Sequence, residues 1–384
     1  MNKPPLTIGP FELSTPVVLA PMAGVTNPPF RLLCAEQGAG LLVSEMVSAR
    51  GLVEGNQRSR DMVGFHADEA RRSVQLHAVE PDVAAAAVAL LVGDHGVHHV
   101  DLNFGCPVPK VTRKGGGAAI PVRRRLFADI VTAAVSAGER AGGVPVTVKM
   151  RMGTDDSHHT YLAAGRVAAS AGAAAISLHA RTAADLYGPP ARWSAIASLV
   201  ETVAAVAPDV PVLGNGDIWI APDAVAMMEA TGCAGVVIGR GCLGRPWMFR
   251  DLEAVFSGTP AAPPPDLVET LALLRRHGEL LVEWFGESNG VRDLRKHVKW
   301  YVHGFPVGSE LRRRLGLIDT LDDLVALTDE LVERHGPIEM DTNGLLAKRG
   351  HTRGPQRVVL PSGWYDRTDD PTPPVGADLA ISGG

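Results

Sequence analysis

The chain lacks most of the features that would mark a specialised class. Aromatic residues make up only 5% of it and the formal net charge is −5. Bulk charge therefore does not mark a nucleic-acid binder, and any polyanion has to meet local basic patches. The four cysteines, Cys34, Cys106, Cys233 and Cys242, are scattered, with no Cys-x-x-Cys pair. That spacing argues against zinc, and no metal site is expected. A chain of 384 residues with 46% hydrophobic composition can build a core that needs no disulfide staple, so reduced thiols fit it better. The start, Met1-Asn2-Lys3-Pro4-Pro5, has no apolar run of a signal peptide. The most apolar stretch, 83–92, lies between Asp82 and Asp94 and is too short to span a bilayer. The expectation is a soluble, cytoplasmic, monomeric protein with no membrane partner.

What is present is alternation. Short apolar or β-branched runs at 17–20, 41–45, 73–78, 98–103, 144–150, 175–180, 211–215 and 235–239 read as strands. Helix-length stretches at 81–94, 123–140, 161–171, 194–206 and 222–230 lie between them. Strict alternation implies parallel strands joined by right-handed crossovers. Eight such units within about 250 residues predict an α/β fold of the closed (β/α)8 TIM-barrel type. A doubly wound sheet is the competing fold, but its early glycine fingerprint is missing: Pro21-Met22-Ala23-Gly24 follows the first strand. The barrel is expected over 1–257 and a Pro-rich linker over 258–265. Leu267, Leu271, Leu274 and Leu281, then Leu321, Leu324, Leu327 and Leu331, have near-helical spacing and predict a small all-helical domain over 266–335. The proline-rich remainder, 336–384, is expected to be a disordered tail.

Polar or special residues gather at the strand ends, which converge on one face in a barrel. Asp101-Leu102-Asn103-Phe104-Gly105-Cys106-Pro107 is the sharpest case. A free thiol in a Gly-Cys-Pro turn is placed for chemistry more than for packing. It could be a proton donor, since an unperturbed thiol is mainly neutral at pH 7, or a nucleophile if a base lies near. Gly115-Gly116-Gly117 reads as a flexible basic loop after it, able to move over a substrate. Lys149, at the end of the fifth strand, suits an anionic oxygen such as the N1–C2=O edge of a reduced flavin. It suits an aldolase-type Schiff base as well. His179 and Arg181 are two apart and face the same way on a strand. Gly239-Arg240-Gly241-Cys242-Leu243-Gly244 matches G-x-G-x-x-G but closes the last strand. With Asn215-Gly216-Asp217 it looks like a phosphate grip, Arg240 being the counter-charge. Tight turns alone would also account for these glycines.

Taken together, Leu19-Ala20-Pro21-Met22-Ala23-Gly24-Val25-Thr26-Asn27, the Gly-Cys-Pro segment and Arg113-Lys114-Gly115-Gly116 resemble the tRNA-dihydrouridine synthases. So do Val148-Lys149-Met150-Arg151, His179-Ala180-Arg181-Thr182, Asn215-Gly216-Asp217, Gly239-Arg240-Gly241, Arg295-Lys296-His297 and Trp300-Tyr301. The resemblance covers roughly residues 8 to 335, and the Arg-Lys-His segment is closest to the B-type bacterial branch. It implies a flavin barrel followed by a helical tRNA-binding domain. FMN would be held by Pro21, Met22, Ala23, Gln75, Lys149, His179, Asn215, Gly216, Asp217, Gly239 and Arg240. NADPH or NADH would be the reductant and Cys106 the proton donor. Asn103, Arg151 and Arg181 would face the uracil or its backbone. Arg295, Lys296 and Lys299, with Arg292 on the same helical face and Arg312-Arg313-Arg314 nearby, would meet RNA phosphates. Trp300 and Tyr301 are expected to pack within the bundle. Two rival functions share parts of this pattern. One is a flavin barrel acting on free pyrimidines or dihydroorotate, and the other is an RNA-binding protein without catalysis.

Overall fold

The β-branched runs form eight parallel strands that close into a barrel, and residues 5–342 and 354–376 of the chain are described in this computed structural model. A short antiparallel hairpin, β1 (Leu6–Ile8) and β2 (Phe11–Leu13), precedes the ring. The ring then runs β3 (Val17–Leu19), β4 (Leu41–Ser48), β5 (Ser73–His77), β6 (His99–Phe104), β7 (Val146–Arg151), β8 (Ile176–His179), β9 (Val212–Asn215) and β10 (Gly235–Ile238). Each strand pairs with the next, and β10 pairs with β3 to close it. This is a (β/α)8 barrel, and helices such as Pro81–His95 and Arg124–Arg140 wrap it. No helix among the described residues is long and apolar enough to cross a membrane.

The hairpin is an addition that the strand pattern did not predict. Its residues Leu6, Ile8 and Leu13 are buried with Val18, Leu41, Val43, Leu213 and Val237 in one apolar cluster. They plug the N-terminal end of the ring, so the polar residues of the interior open only toward the other end. β4 also runs three residues past the expected end at Glu45, after a register shift between Val43 and Met46. The shift adds an irregular step that re-aims the last residues of the strand.

Four helices, Leu267–Phe285, Glu287–Tyr301, Ser309–Leu315 and Leu321–His335, form a second core. Asp266 starts the first of them with a capping box, its side chain accepting from Glu269 N at 2.9 Å while Glu269 accepts from Asp266 N. Leu32 and Leu33 of the barrel helix Pro28–Ala35 belong to that second core. Burial of each such leucine is worth about 1.5–3 kcal/mol, so the barrel and the helices are tied by apolar contact.

The segment after the helices departs from expectation. Of the tail expected over 336–384, residues 354–376 lie along the barrel and Trp364 is only 4% exposed, while 343–353 and 377–384 lie outside the described residues. Its composition is proline-rich and poor in apolar residues, but one buried indole anchors it. An average over the segment conceals that single residue.

A buried ion pair fastens the start of the barrel. Arg31 donates through Nε and Nη2 to both oxygens of Glu69, at 2.8 and 2.9 Å, and through Nη1 and Nη2 to the carbonyls of Thr26 and Gly64, at 2.8 and 2.7 Å. Both side chains are almost fully buried. Removing one charge leaves the other without compensation, which costs about 3–5 kcal/mol. Glu69→Gln should therefore lower unfolding free energy by about 3 kcal/mol, read as a shift of the urea midpoint.

Candidate active site

Strand pleating dictates what the open end of the barrel presents. Residues two apart share a face, so Asp101 and Asn103 on β6, Thr147, Lys149 and Arg151 on β7, and Ser177 and His179 on β8 fall in successive layers. The register pairs Asn103 with Lys149, Arg151 with His179, and His179 with Asn215. A cavity of about 410 Å³ opens above this layer. Pro21, Met22, Ala23, Gln75, Lys149, His179, Asn215, Gly216, Asp217, Gly239 and Arg240 all line it, as do Asn103, Cys106 and Arg151. Among the described residues, no cluster of histidine, cysteine, aspartate and glutamate has the geometry of a metal centre.

Beneath the cavity a run of hydrogen bonds reaches the cysteine turn. The Asp101 carboxylate accepts from Gln75 Nε2 at 2.7 Å and from Thr147 Oγ1 at 2.6 Å. Thr147 in turn meets His99 at 3.0 Å, and His99 meets Ser73 at 2.7 Å. With its amide nitrogen engaged by Asp101, Gln75 presents Oε1 to Asn103 Nδ2 at 2.7 Å. That leaves Asn103 Oδ1 to accept from the backbone N–H groups of Gly105 and Cys106, at 3.1 and 2.9 Å. A buried carboxylate thus sets the orientation of two amides, and the second caps the turn that carries the thiol. Burial pushes the Asp101 carboxyl up to about 6, against the opposing pull of its Thr147 and Gln75 hydrogen bonds and of Lys149.

The thiol and the cations have complementary protonation. Burial pushes the Cys106 thiol above its ordinary range, outweighing the Val108 N–H, Arg151 and Lys110, so it is neutral at pH 7. Burial lowers Lys149 to about 8, and its Nζ donates to Asn215 Oδ1 at 3.3 Å. His179 is held well below its ordinary value by burial and then by the charges of Arg151, Lys149, Arg181 and Arg240, so its ring is neutral. The site therefore offers one neutral acid beside several fixed cations, a combination suited to an anionic group and a proton transfer.

Arg181, expected to face the uracil or its backbone, is not among the residues that line the cavity. It is 2% exposed, donates from Nη2 to both Asp217 oxygens at 2.7 Å, and donates from Nε to the Pro189 carbonyl at 2.7 Å. Asp217 adopts φ 56°, a left-handed conformation costly for a residue with a side chain, and this bidentate pair helps to hold it there. The preceding Gly216, at φ 128°, has no room for a Cβ, which would lie 2.7 Å from Ala191 Cβ. Asn103 lines the cavity, but both ends of its amide are engaged, Nδ2 by Gln75 and Oδ1 by the cysteine turn. Arg151 lines it too, with Nη1 donating to the carbonyls of Thr182 and Leu186 at 2.9 Å.

The helical side contributes a wall that sequence reading placed elsewhere. Trp300 lines the cavity, while Tyr301 is buried in the bundle with its hydroxyl 3.2 Å from His277. Gly244 permits this seam, since a Cβ there would lie 2.3 Å from the Trp300 carbonyl carbon. Tyr187, Trp219 and Met46 also line the cavity and were not singled out in the sequence. The Arg240 guanidinium lies 4.3 Å from the Tyr187 ring centre and 5.1 Å from that of Trp219. Aromatic residues are rare in this chain, but the sequence does not show that Tyr187, Trp219 and Trp300 converge on one cavity. Arg295, Lys296 and Lys299 lie outside this lining. Arg295 bonds Ile318 O at 2.6 Å and pairs with Asp319, Lys296 pairs with Asp293, and Lys299 lies 5.6 Å over Trp300.

The triple glycine is a packed element and does not form the loose loop its composition predicted. Gly115, Gly116 and Gly117 are all buried. A Cβ on Gly116 would lie 2.7 Å from the His77 ring, and one on Gly117 would lie 2.6 Å from the Cys106 carbonyl oxygen.

Comparison with known proteins converges on one family. The family model described as dihydrouridine synthase (Dus) matches residues 18–335. The chain belongs to the dihydrouridine synthase family. A probable tRNA-dihydrouridine synthase of Mycobacterium tuberculosis (strain ATCC 25618 / H37Rv) is 54% identical over 99% of this chain and 97% of its own. One from Rickettsia conorii (strain ATCC VR-613 / Malish 7) is 36% identical over 88% of this chain and 99% of its own. The tRNA-dihydrouridine synthase B of Pseudomonas putida (strain KT2440) is 39% identical over 81% of this chain and 90% of its own. Among solved structures, histamine dehydrogenase from Rhizobium sp. 4-9 aligns at a TM-score of 0.48 and 12% identity, over 87% of this chain and 65% of that one. That likeness is too slight to bear on the chemistry of this dihydrouridine synthase family member.

The Asp101 network yields a signed prediction. A carboxyl with a raised native pKa makes the native state less stable as pH climbs from the unfolded value, near 4, through about 6. Asp101→Asn removes that dependence and also one acceptor, at a cost of about 1–3 kcal/mol. The stability gap between wild type and variant should be widest near pH 4 and narrow above about 6, as measured by urea unfolding across that range.

Proposed function

We propose that this chain reduces specific uridines in tRNA to 5,6-dihydrouridine in the cytoplasm, using a flavin, FMN, in the barrel cavity and NADPH or NADH as reductant. The observation that carries this reading is a neutral thiol on a hydrogen-bonded turn beside a cavity walled by cations, amides and aromatic rings. The family membership and the relatives named for this activity support it.

The cavity fits a flavin by its own chemistry. Lys149 suits the electron-rich carbonyl edge of the ring system, while Gln75 and Asn215 offer amide groups at the same wall. Arg240 and the backbone of Gly216, Gly239 and Gly241 suit a phosphate. A Cβ on Gly239 would meet nothing closer than Ala20 Cβ at 3.7 Å, so it would take up cavity space. FMN bound there would supply the hydride that goes to uracil C6, after its own reduction by NADPH or NADH.

The chain's residues supply the rest. Cys106 Sγ–H gives its proton to uracil C5, so one hydride and one proton saturate the C5–C6 bond. The thiolate left behind recovers its proton from water. A uridine stacked in folded tRNA cannot enter a barrel cavity, so the base leaves its stack to be reduced. Arg295, Lys296 and Lys299 on the helical side meet the RNA backbone in this reading. The acidic partners of Arg295 and Lys296 are no obstacle, because such surface ion pairs are worth at most about 1 kcal/mol and exchange readily for phosphates.

Cys106→Ala should keep its yellow flavin and its tRNA binding, yet lose dihydrouridine formation by about 10²–10⁴-fold, the ordinary worth of a positioned acid. Full activity in that variant sinks the assignment. Reduction of free uracil with no activity on tRNA would overturn the substrate.

Lys149 gives a second test. Its charge is present below about pH 8 and lost above it, so flavin affinity should weaken as pH rises from 7 to 9. In Lys149→Met the affinity should be lower and flat over the same range. Quenching of flavin fluorescence on titration measures both.

A further inference from the structure

We propose that residues 356–374 form a strap that clamps the Cys106 loop in its working position, with Trp364 as the anchor. This rests on the reading of Cys106 as the proton donor. The segment lies beyond residue 335, where the family match ends.

The strap crosses three consecutive loops at the open end of the barrel. Gln356 N donates to Ala184 O at 2.7 Å, in the loop after β8. The Tyr365 hydroxyl lies 2.9 Å from Thr154 Oγ1, and its ring stacks on His158 at 3.8 Å, both in the loop after β7. The chain then reaches the segment that follows β6, the strand leading into Cys106.

There the contact becomes a socket. The Trp364 indole packs on Ala119 and Val122, and its Nε1 donates to Ala119 O at 2.9 Å. Arg123 covers the ring at 4.3 Å and pairs with Asp370 at 2.7 Å. Arg124 N donates to Thr368 O at 2.8 Å. The strap therefore holds the loop by an apolar plug, an ion pair and a backbone hydrogen bond.

The triple glycine couples that socket to the thiol. A Cβ on Gly115, which sits at φ 82°, would lie 2.5 Å from the Trp364 ring. On the other side, a Cβ on Gly117 would lie 3.1 Å from Cys106 Cβ, and Ala118 N donates to Cys106 O at 3.1 Å. The glycines thus fill a thin layer between the indole and the cysteine. Three consecutive glycines carry little stiffness of their own. What limits their movement on the outer face is Trp364, so its loss frees the layer against which Cys106 rests. Trp364 is a positioning residue: it touches the loop and not the cavity.

The test uses the full chain. Cys34, Cys233 and Cys242 are at most 2% exposed, so iodoacetamide labelling of the folded protein, assigned by peptide mass, reports on Cys106. Trp364→Ala should raise that labelling rate about 5-fold and lower kcat on tRNA about 10-fold, with KM within about twofold. Trp364→Phe, which keeps a ring but not the hydrogen bond, should restore more than half of both. Labelling at the wild-type rate in Trp364→Ala overturns the proposal, and so does faster labelling with unchanged kcat. Should Trp364→Ala not fold, Trp364→Phe and Asp370→Ala carry the same comparison with smaller shifts, and no shift in either overturns it. Labelling needs no substrate, so it decides the strap whether or not tRNA is reduced.

Discussion

Pairing of β10 with β3 is the contact on which the site depends. An open sheet would leave the ends of β3 and β10 far apart, and Pro21 and Met22 would not share a wall with Gly239 and Arg240. Closure also gives the interior two ends with different chemistry. The hairpin seals one with leucine, isoleucine and valine side chains. The other has no such plug among the described residues, and its polar layers face outward. Those layers are tolerable in a barrel interior because they are hydrogen-bonded to one another, from Ser73 through His99, Thr147, Asp101 and Gln75 to Asn103.

Burial then assigns protonation. The same desolvation that strips charge from His179 and weakens it on Lys149 keeps the proton on Cys106. It moves acids up and bases down, so each effect depends on which side of neutrality the group begins. Lys149 stays mainly charged at pH 7 because a lysine starts far above it, whereas histidine starts near it and becomes neutral. Among the described residues the charges that act on the thiol are those of Arg151 and Lys110, which is compatible with the acid role proposed for it.

Strand and helix positions were legible because a parallel barrel repeats one pattern eight times. The repeat shows through short apolar runs even where any single run is ambiguous. The hairpin was not legible, since Leu6-Thr7-Ile8 and Phe11-Glu12-Leu13 are too short to show a period. In the candidate site, strand-end position places Lys149, His179 and Asn215 at one cavity. It misled at Arg181, because pleating tells which face a side chain leaves from, and the bidentate partner Asp217 belongs to a different strand's loop. Trp300 was expected to pack within the bundle. Its position near the helix end, against Gly244, lets it reach across the seam, and a helical wheel carries no such information. The strap was hidden for a related reason: disorder is an average over composition, and anchoring takes one residue.

The Trp300 seam has a consequence for biosynthesis. The last barrel strand ends at Ile238, yet one wall of the cavity comes from a residue some sixty positions later. During translation the ring can close while that wall is still inside the ribosome. The pocket is therefore finished after the barrel is, and a cofactor meets its complete binding surface only once the helical region has emerged and docked.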